Sequence, residues 1–152
     1  MYPDCDEILK MAPDYDIIPV CREIYADVIT PITLLRKLAA VSKRYYLMES
    51  VEGGEKWGRY SFLGFDPVMR VKCSCGKVTI EKDGDETEKV TDKPLEVLRE
   101  ILKDYKAPRL AGLPPFAGGF VGYFAYAMIG YAEPKLKIKK GTVNDYDMML
   151  FD

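Results

Sequence analysis

Histidine is absent from the 152 residues of this chain. That excludes a triad built on imidazole, a histidine-ligated zinc and a histidine proton shuttle. Acid–base chemistry in this chain would rest on carboxylates, lysines or tyrosines. Cysteine is scarce, with Cys5, Cys21, Cys73 and Cys75 and no C-x-x-C pair, so a zinc ribbon or a thioredoxin-like redox pair is not expected. Cys73 and Cys75 sit two apart in a stretch that reads as strand. Both are expected on one side of the sheet, as small reduced core residues. The start of the chain carries Asp4, Asp6 and Glu7 and lacks a basic-then-apolar run. No signal peptide is expected there, and a reducing, cytoplasmic location follows.

Strong charge of either sign is also missing. Twenty-two basic residues stand against 24 acidic ones, with 48% apolar and 30% charged residues overall. This is a globular, soluble composition, which excludes a disordered tail or a histone-like basic protein. The length suits one domain with one core, or a piece of a longer chain. Residues 110–132 (LAGLPPFAGGFVGYFAYAMIGYA) contain no charge and are long enough to span a membrane. Tandem prolines and five glycines replace the residues that drive insertion. Glycines at this density suit a buried strand that another backbone approaches closely.

Periodicity predicts an α+β chain with a mostly antiparallel sheet and two amphipathic helices packed on it. Residues 1–16 read as an irregular lead-in or a short amphipathic turn, and 17–25 as an extended edge strand interrupted by Pro19. Thr30-Pro31 starts a helix, since Thr caps and Pro fits the first helical position; Leu34, Leu35, Leu38 and Val41 continue it. Residues 45–50 (YYLMES) read as a central strand and 59–65 (RYSFLGF) as another, ended by Asp66-Pro67. Met69, Val71 and Cys73 alternate with Arg70, Lys72 and Ser74 as a half-buried strand. Gly76 then turns the chain into KVTIEK (77–82). Asp83-Gly84 is a strong hairpin signal, leading to an exposed strand over 86–91. Thr91 or Asp92 is expected to cap the second helix, with Pro94 in its first turn and Leu95, Leu98, Ile101, Leu102 and Tyr105 on one face. Residues 118–126 and 145–152 (DYDMMLFD) complete the strands. An apolar strand at the very end of a chain predicts truncation from a longer polypeptide.

Several motifs dissolve on inspection. Gly118-Gly119-Phe120-Val121-Gly122 lacks both the dinucleotide and the P-loop spacing. The acidic run 81–88 lacks calcium-loop spacing. The alternating lysines of 135–140 (KLKIKK) read as a guard on an edge strand, not as a nucleic-acid patch, because the isoelectric point is about 5.3. By contrast, Glu49 and Ser50 leave a strand together and face a loop ending in Trp57 and Arg59. Such a rim offers acceptors for an ammonium, donors for a carboxylate and an aromatic wall, the needs of a free amino acid. A purely structural alternative pairs Glu49 with Arg59 and lets Ser50 cap a turn.

YLMES (46–50), GRYSFLG (58–64), Asp66-Pro67 and PFAGGFVGYFAY (115–126), in this order and spacing, together resemble the N-terminal domain of anthranilate synthase component I. Its close relative is component I of aminodeoxychorismate synthase. The resemblance covers residues 17–152 and implies one part of a large two-layered sheet sandwich. It further implies that the complete subunit is a lyase of tryptophan biosynthesis. That subunit converts chorismate and ammonia to anthranilate and pyruvate with Mg²⁺, its ammonia coming from a partner glutamine amidotransferase. In that family the catalytic and metal-binding residues belong to a larger C-terminal domain. This chain is therefore expected to carry no catalytic residue, metal or cofactor of its own.

The same resemblance implies that this part contributes to an allosteric feedback-inhibition pocket for L-tryptophan. Glu49 and Ser50 carry the L-x-E-S motif over. Pro31 matches a position whose change relaxes inhibition, and Arg59 or Tyr60 aligns with the basic contact. Two alternatives stay open: the aminodeoxychorismate branch of folate synthesis, and a free-standing amino-acid-binding module. Salicylate and isochorismate synthases fit less well. No membrane or nucleic-acid partner is expected.

Overall fold

Residues that alternate apolar and charged should make strands with one buried face, and they do. A computed structural model describes residues 1–49, 60–114, 116–133, 135–136, 138 and 141–152. It divides into two units, one of Met1–Pro67, Lys106–Gly119 and Phe151–Asp152, the other of Val68–Tyr105 and Phe120–Leu150. Among the described residues the architecture is α+β, with antiparallel pairing throughout the registers that follow.

In the first unit, helix α1 (Cys5–Met11) occupies the stretch expected to be an irregular lead-in or a short amphipathic turn. Its cause is a capping box: Asp4 accepts the Glu7 N–H at 2.8 Å while the Glu7 carboxylate accepts the Asp4 N–H at 2.9 Å. Both exposed donors at the helix start are thereby satisfied. The edge strand expected over 17–25 is absent apart from one bridge, Tyr2 to Cys21. Extended backbone without a partner strand forms no ladder. Helix α2 (Pro31–Ala39) starts as expected, with Thr30 as its cap and Pro31 at its first position, but it stops short of Val41, which is exposed. Strands β1 (Tyr45–Glu49) and β2 (Ser61–Phe65) pair antiparallel, Tyr45 opposite Phe65 and Glu49 opposite Ser61. They form a two-stranded ribbon, so β1 is not the central strand it was expected to be. Helix α2 packs on both strands, which gives the ribbon the support that an isolated hairpin lacks.

The second unit is built on a five-stranded sheet. Strands β3 (Met69–Ser74), β4 (Lys77–Lys82) and β5 (Asp85–Val90) form a meander. Strand β7 (Tyr146–Phe151) lies beside β3, and β6 (Gly119–Phe124) beside β7. Along β3 and β7 buried and half-buried residues alternate. Val71, Cys73, Val78, Tyr146 and Leu150 are essentially inaccessible. Each large side chain among them is worth roughly 1.5–3 kcal/mol of burial.

Helix α3 (Pro94–Lys103) closes this core with Val97 and Leu98. Its cap residue is Lys93, whose side chain makes no capping bond, and neither Thr91 nor Asp92 fills that position. Instead the Thr91 hydroxyl accepts the Lys93 N–H at 3.0 Å and shapes the approach to the helix. The opposite face of the sheet is charged: Arg70 grips Asp147 through two bonds of 2.8 and 2.7 Å, and Lys72 meets Glu81. A short 3₁₀ turn (Tyr126–Met128) leads into α4 (Ile129–Ala132).

The described residues of the uncharged stretch 110–132 thus include a turn, a strand and a short helical run. No described helix is long and apolar enough to cross a membrane. The close backbone approach expected of its glycines occurs at Gly122, where an added Cβ would overlap the Asp147 carbonyl oxygen. Two further readings change. Cys75 does not share the face of Cys73; the strand ends at Ser74, and Cys75 is exposed in a turn at φ 52°. Of the lysine run, residues 135, 136 and 138 form no strand, and Lys137, Lys139 and Lys140 lie outside the described residues.

Candidate functional site

The rim named from sequence lies at the end of the β1–β2 ribbon. Glu49 is the last residue of β1, exposed, and directly opposite Ser61. The Ser61 hydroxyl reaches its Oε1 at 3.5 Å, a long contact that leaves the carboxylate open to other donors. Tyr60 immediately precedes β2 and is half-buried, its ring 5.9 Å from that of Phe62. Glu49 and Tyr60 therefore share one end of the ribbon. Pro31 is exposed at the start of α2. A nine-residue helix rises about 13 Å and a five-residue strand spans about 16 Å. The short link 40–44 joins that helix to β1, and the helix packs on the ribbon. Ser50 and Arg59, with Trp57, lie outside the described residues.

Behind the ribbon is a feature that the sequence reading missed, an aromatic-walled cavity of about 270 Å³. Tyr46 meets Phe151 edge-on with centroids 4.8 Å apart, and Phe62 meets Phe116 at 5.7 Å and 89°. The Tyr46 ring lies over Gly64, where a Cβ would collide with it. Burial raises the Tyr46 hydroxyl above the usual tyrosine pKa. Strand alternation puts Tyr46 and Met48 on one face of β1 and Glu49 with Leu47 on the other. The Glu49 side chain and the Tyr46 ring therefore belong to opposite faces of the ribbon. The signal available in the sequence was the aromatic spacing Tyr46, Phe62, Phe116 and Phe151, but those residues converge only through long-range pairing.

A polar centre in the second unit was also missed. Asp145, 8% exposed, accepts the Cys75 N–H at 2.7 Å, the Tyr131 hydroxyl at 2.7 Å and the Cys73 thiol at 3.7 Å. Burial, then the bond to Asp145, pushes the Tyr131 hydroxyl far above its ordinary value. Burial likewise raises the Cys73 thiol. Among the described residues no group of three or more acidic or cysteine side chains is placed to hold a metal ion.

Relatives with known names match along most of this chain. It is 43% identical over 132 residues to anthranilate synthase component 1 of Acetivibrio thermocellus, covering 87% of this chain. The chain is similar to anthranilate synthase component 1. The same name belongs to relatives from Pseudomonas aeruginosa, 42% identical over 133 residues, and Aquifex aeolicus, 35% identical over 147 residues. These cover 86% and 95% of this chain. The chain spans only 26%, 27% and 29% of those three anthranilate synthase components, about a quarter of their length. No family model matches it. The resemblance drawn from the YLMES, GRYSFLG, Asp66-Pro67 and PFAGGFVGYFAY motifs is borne out.

Proposed function

We propose that this chain is the N-terminal regulatory part of an anthranilate synthase component I and contributes a feedback site for L-tryptophan. The observation that carries the proposal is the match to relatives of that name over most of the chain. On this reading residues 17–152 form the N-terminal domain. The complete subunit would make anthranilate and pyruvate from chorismate and ammonia in the cytoplasm, its ammonia supplied by a component II amidotransferase. The Mg²⁺ of that reaction finds no fitting donor set among the described residues. On the same resemblance the catalytic steps belong to the larger C-terminal part of the subunit.

The ribbon end supports the inhibitor site chemically. Glu49 offers an exposed acceptor to the ligand ammonium. Tyr60 adds a ring, and Pro31 pre-sets the start of the neighbouring helix. Ser50 and Arg59 are assigned by the motif alone, the first as a hydroxyl beside Glu49, the second as a donor to the ligand carboxylate. Inhibition then requires tryptophan to bind one conformation of the subunit better than another. A coupling of ~1–3 kcal/mol changes substrate affinity about 5- to 150-fold.

The test is the product of the intact protein given chorismate, Mg²⁺ and ammonia. Anthranilate, suppressed by added L-tryptophan, is expected. 4-Amino-4-deoxychorismate as the product would place the chain in the other branch. In the same assay Ser50→Phe is expected to fill the slot, so that far more L-tryptophan is needed for the same fractional inhibition. An unchanged tryptophan titration would remove Ser50 from the site.

A further inference from the structure

The second unit contains a cavity of about 490 Å³ that the tryptophan reading does not use. That volume lies in the range of small-molecule sites. Ala127, Leu136 and Ile138 give it apolar surface, while Asp92, Tyr131 and Asp145 supply polar groups. Asp145 is its distinctive member. All three of its side-chain hydrogen bonds fall on Oδ2, from the Cys75 N–H, the Tyr131 hydroxyl and the Cys73 thiol. Oδ1 accepts none among the described residues. Yet no buried side-chain oxygen there is left without a partner. Oδ1 is therefore accessible, on a residue that is 92% buried and lines the cavity.

One oxygen is locked by three donors and the other is free, so the carboxylate is oriented before any ligand arrives. A preorganised acceptor loses little freedom on binding. Asp92 adds a second carboxylate to the lining, and the described lining residues include no cation. An anion would be repelled by both carboxylates. A metal ion would find too few ligands, since no group of three is present among the described residues. What matches one fixed carboxylate oxygen beside apolar walls is a positively charged N–H donor on an apolar body. We propose that this cavity binds a small organic ammonium compound, its nitrogen on Asp145 Oδ1 and its apolar body against Ala127, Leu136 and Ile138.

The experiment uses the intact protein and 2-phenylethylamine as the probe, with 2-phenylethanol as its uncharged counterpart, read by amide hydrogen exchange. The amine is expected to slow exchange saturably in segments containing Thr91–Asp92 and Ala127–Tyr131, and the alcohol to leave them unchanged. Asp145→Asn is expected to weaken the response roughly tenfold or more. Because that change also touches the bonds on Oδ2, Ala127→Leu provides a second arm. It fills the cavity wall without removing a donor to Asp145, and it too is expected to abolish the response. Ser50→Phe, which probes the ribbon end, is expected to leave the response intact, separating this site from the proposed tryptophan site. The inference is overturned by an absent or non-saturable response, by equal protection from the alcohol, by Ala127→Leu responding like the parent, or by loss of the response in Ser50→Phe.

Discussion

Cys73 and Cys75 are two residues apart, yet the first is buried and the second exposed. Cys73 points into the core beneath β3 and β4, whereas Cys75 sits in the turn that joins them, its N–H held by Asp145. Alternation was legible in the sequence, but the place where the strand stops was not. That stop depends on a residue 70 positions away. A raised thiol pKa means that the reactive thiolate of Cys73 is scarce at neutral pH and becomes appreciable only at higher pH. A thiol reagent at mildly alkaline pH is therefore expected to modify the exposed Cys5 and Cys75 in the native protein and Cys73 only after denaturation. Native modification of Cys73 at the rate of Cys75 would contradict the buried placement. Gly122 makes a sharper residue-level case. A methyl group there would overlap the Asp147 carbonyl oxygen and lie 2.8 Å from the Met148 Cα. Backbone on β7 must then move, so Gly122→Ala is expected to cost on the order of 1–3 kcal/mol. A lowered denaturant midpoint at unchanged slope is the readout.

Helices and strands differ in how much of them is local. Helix α2 was legible because Thr30 and Pro31 mark its start in adjacent residues. Helix α1 carried an equally local signal, Asp4 and Glu7 at capping-box spacing, but buries no residue, so apolar periodicity gave no sign of it. The reading of 17–25 as a strand failed for the opposite reason. Its residues favour extended backbone, and whether a partner strand lies alongside is not written in them. The rank of β1 within its sheet is likewise a property of pairing. Helix α3 shows what periodicity resolves and what it does not. Leu95, Leu98, Ile101 and Tyr105 all reach the core, whereas Leu102, at the same nominal face, is 44% exposed. Leu98→Ala is therefore expected to destabilise by about 2–5 kcal/mol through a cavity. Leu102→Ala is expected to stay within roughly 0.5 kcal/mol of the parent. Equal losses for the two, measured by chemical denaturation, would mean that the helix is rotated from the orientation described.

At the scale of the whole molecule the open question is what the last strand of the sheet meets. Strand β6 stands at the end of the strand order among the described residues, and its sequence GFVGYF carries no charge. Natural sheets usually blunt such an edge with lysine, proline or a bulge. The lysines expected to play that part, over 135–140, form no strand where they are described. Aromatic surface continues along the same stretch: Tyr123 is 46% exposed, Phe124 53% and Tyr126 82%. An uncharged edge bordered by exposed rings can pair with its own copy, because antiparallel pairing of two identical strands satisfies both edges at once. The 152-residue chain on its own is therefore expected to self-associate, its mass by light scattering rising with concentration. Tyr123→Lys places a charge on the exposed part of that strand and is expected to shift the rise to higher concentration. A constant monomer mass across the range would show that the edge is not available for pairing. A rise unaffected by the lysine would move the contact to another surface.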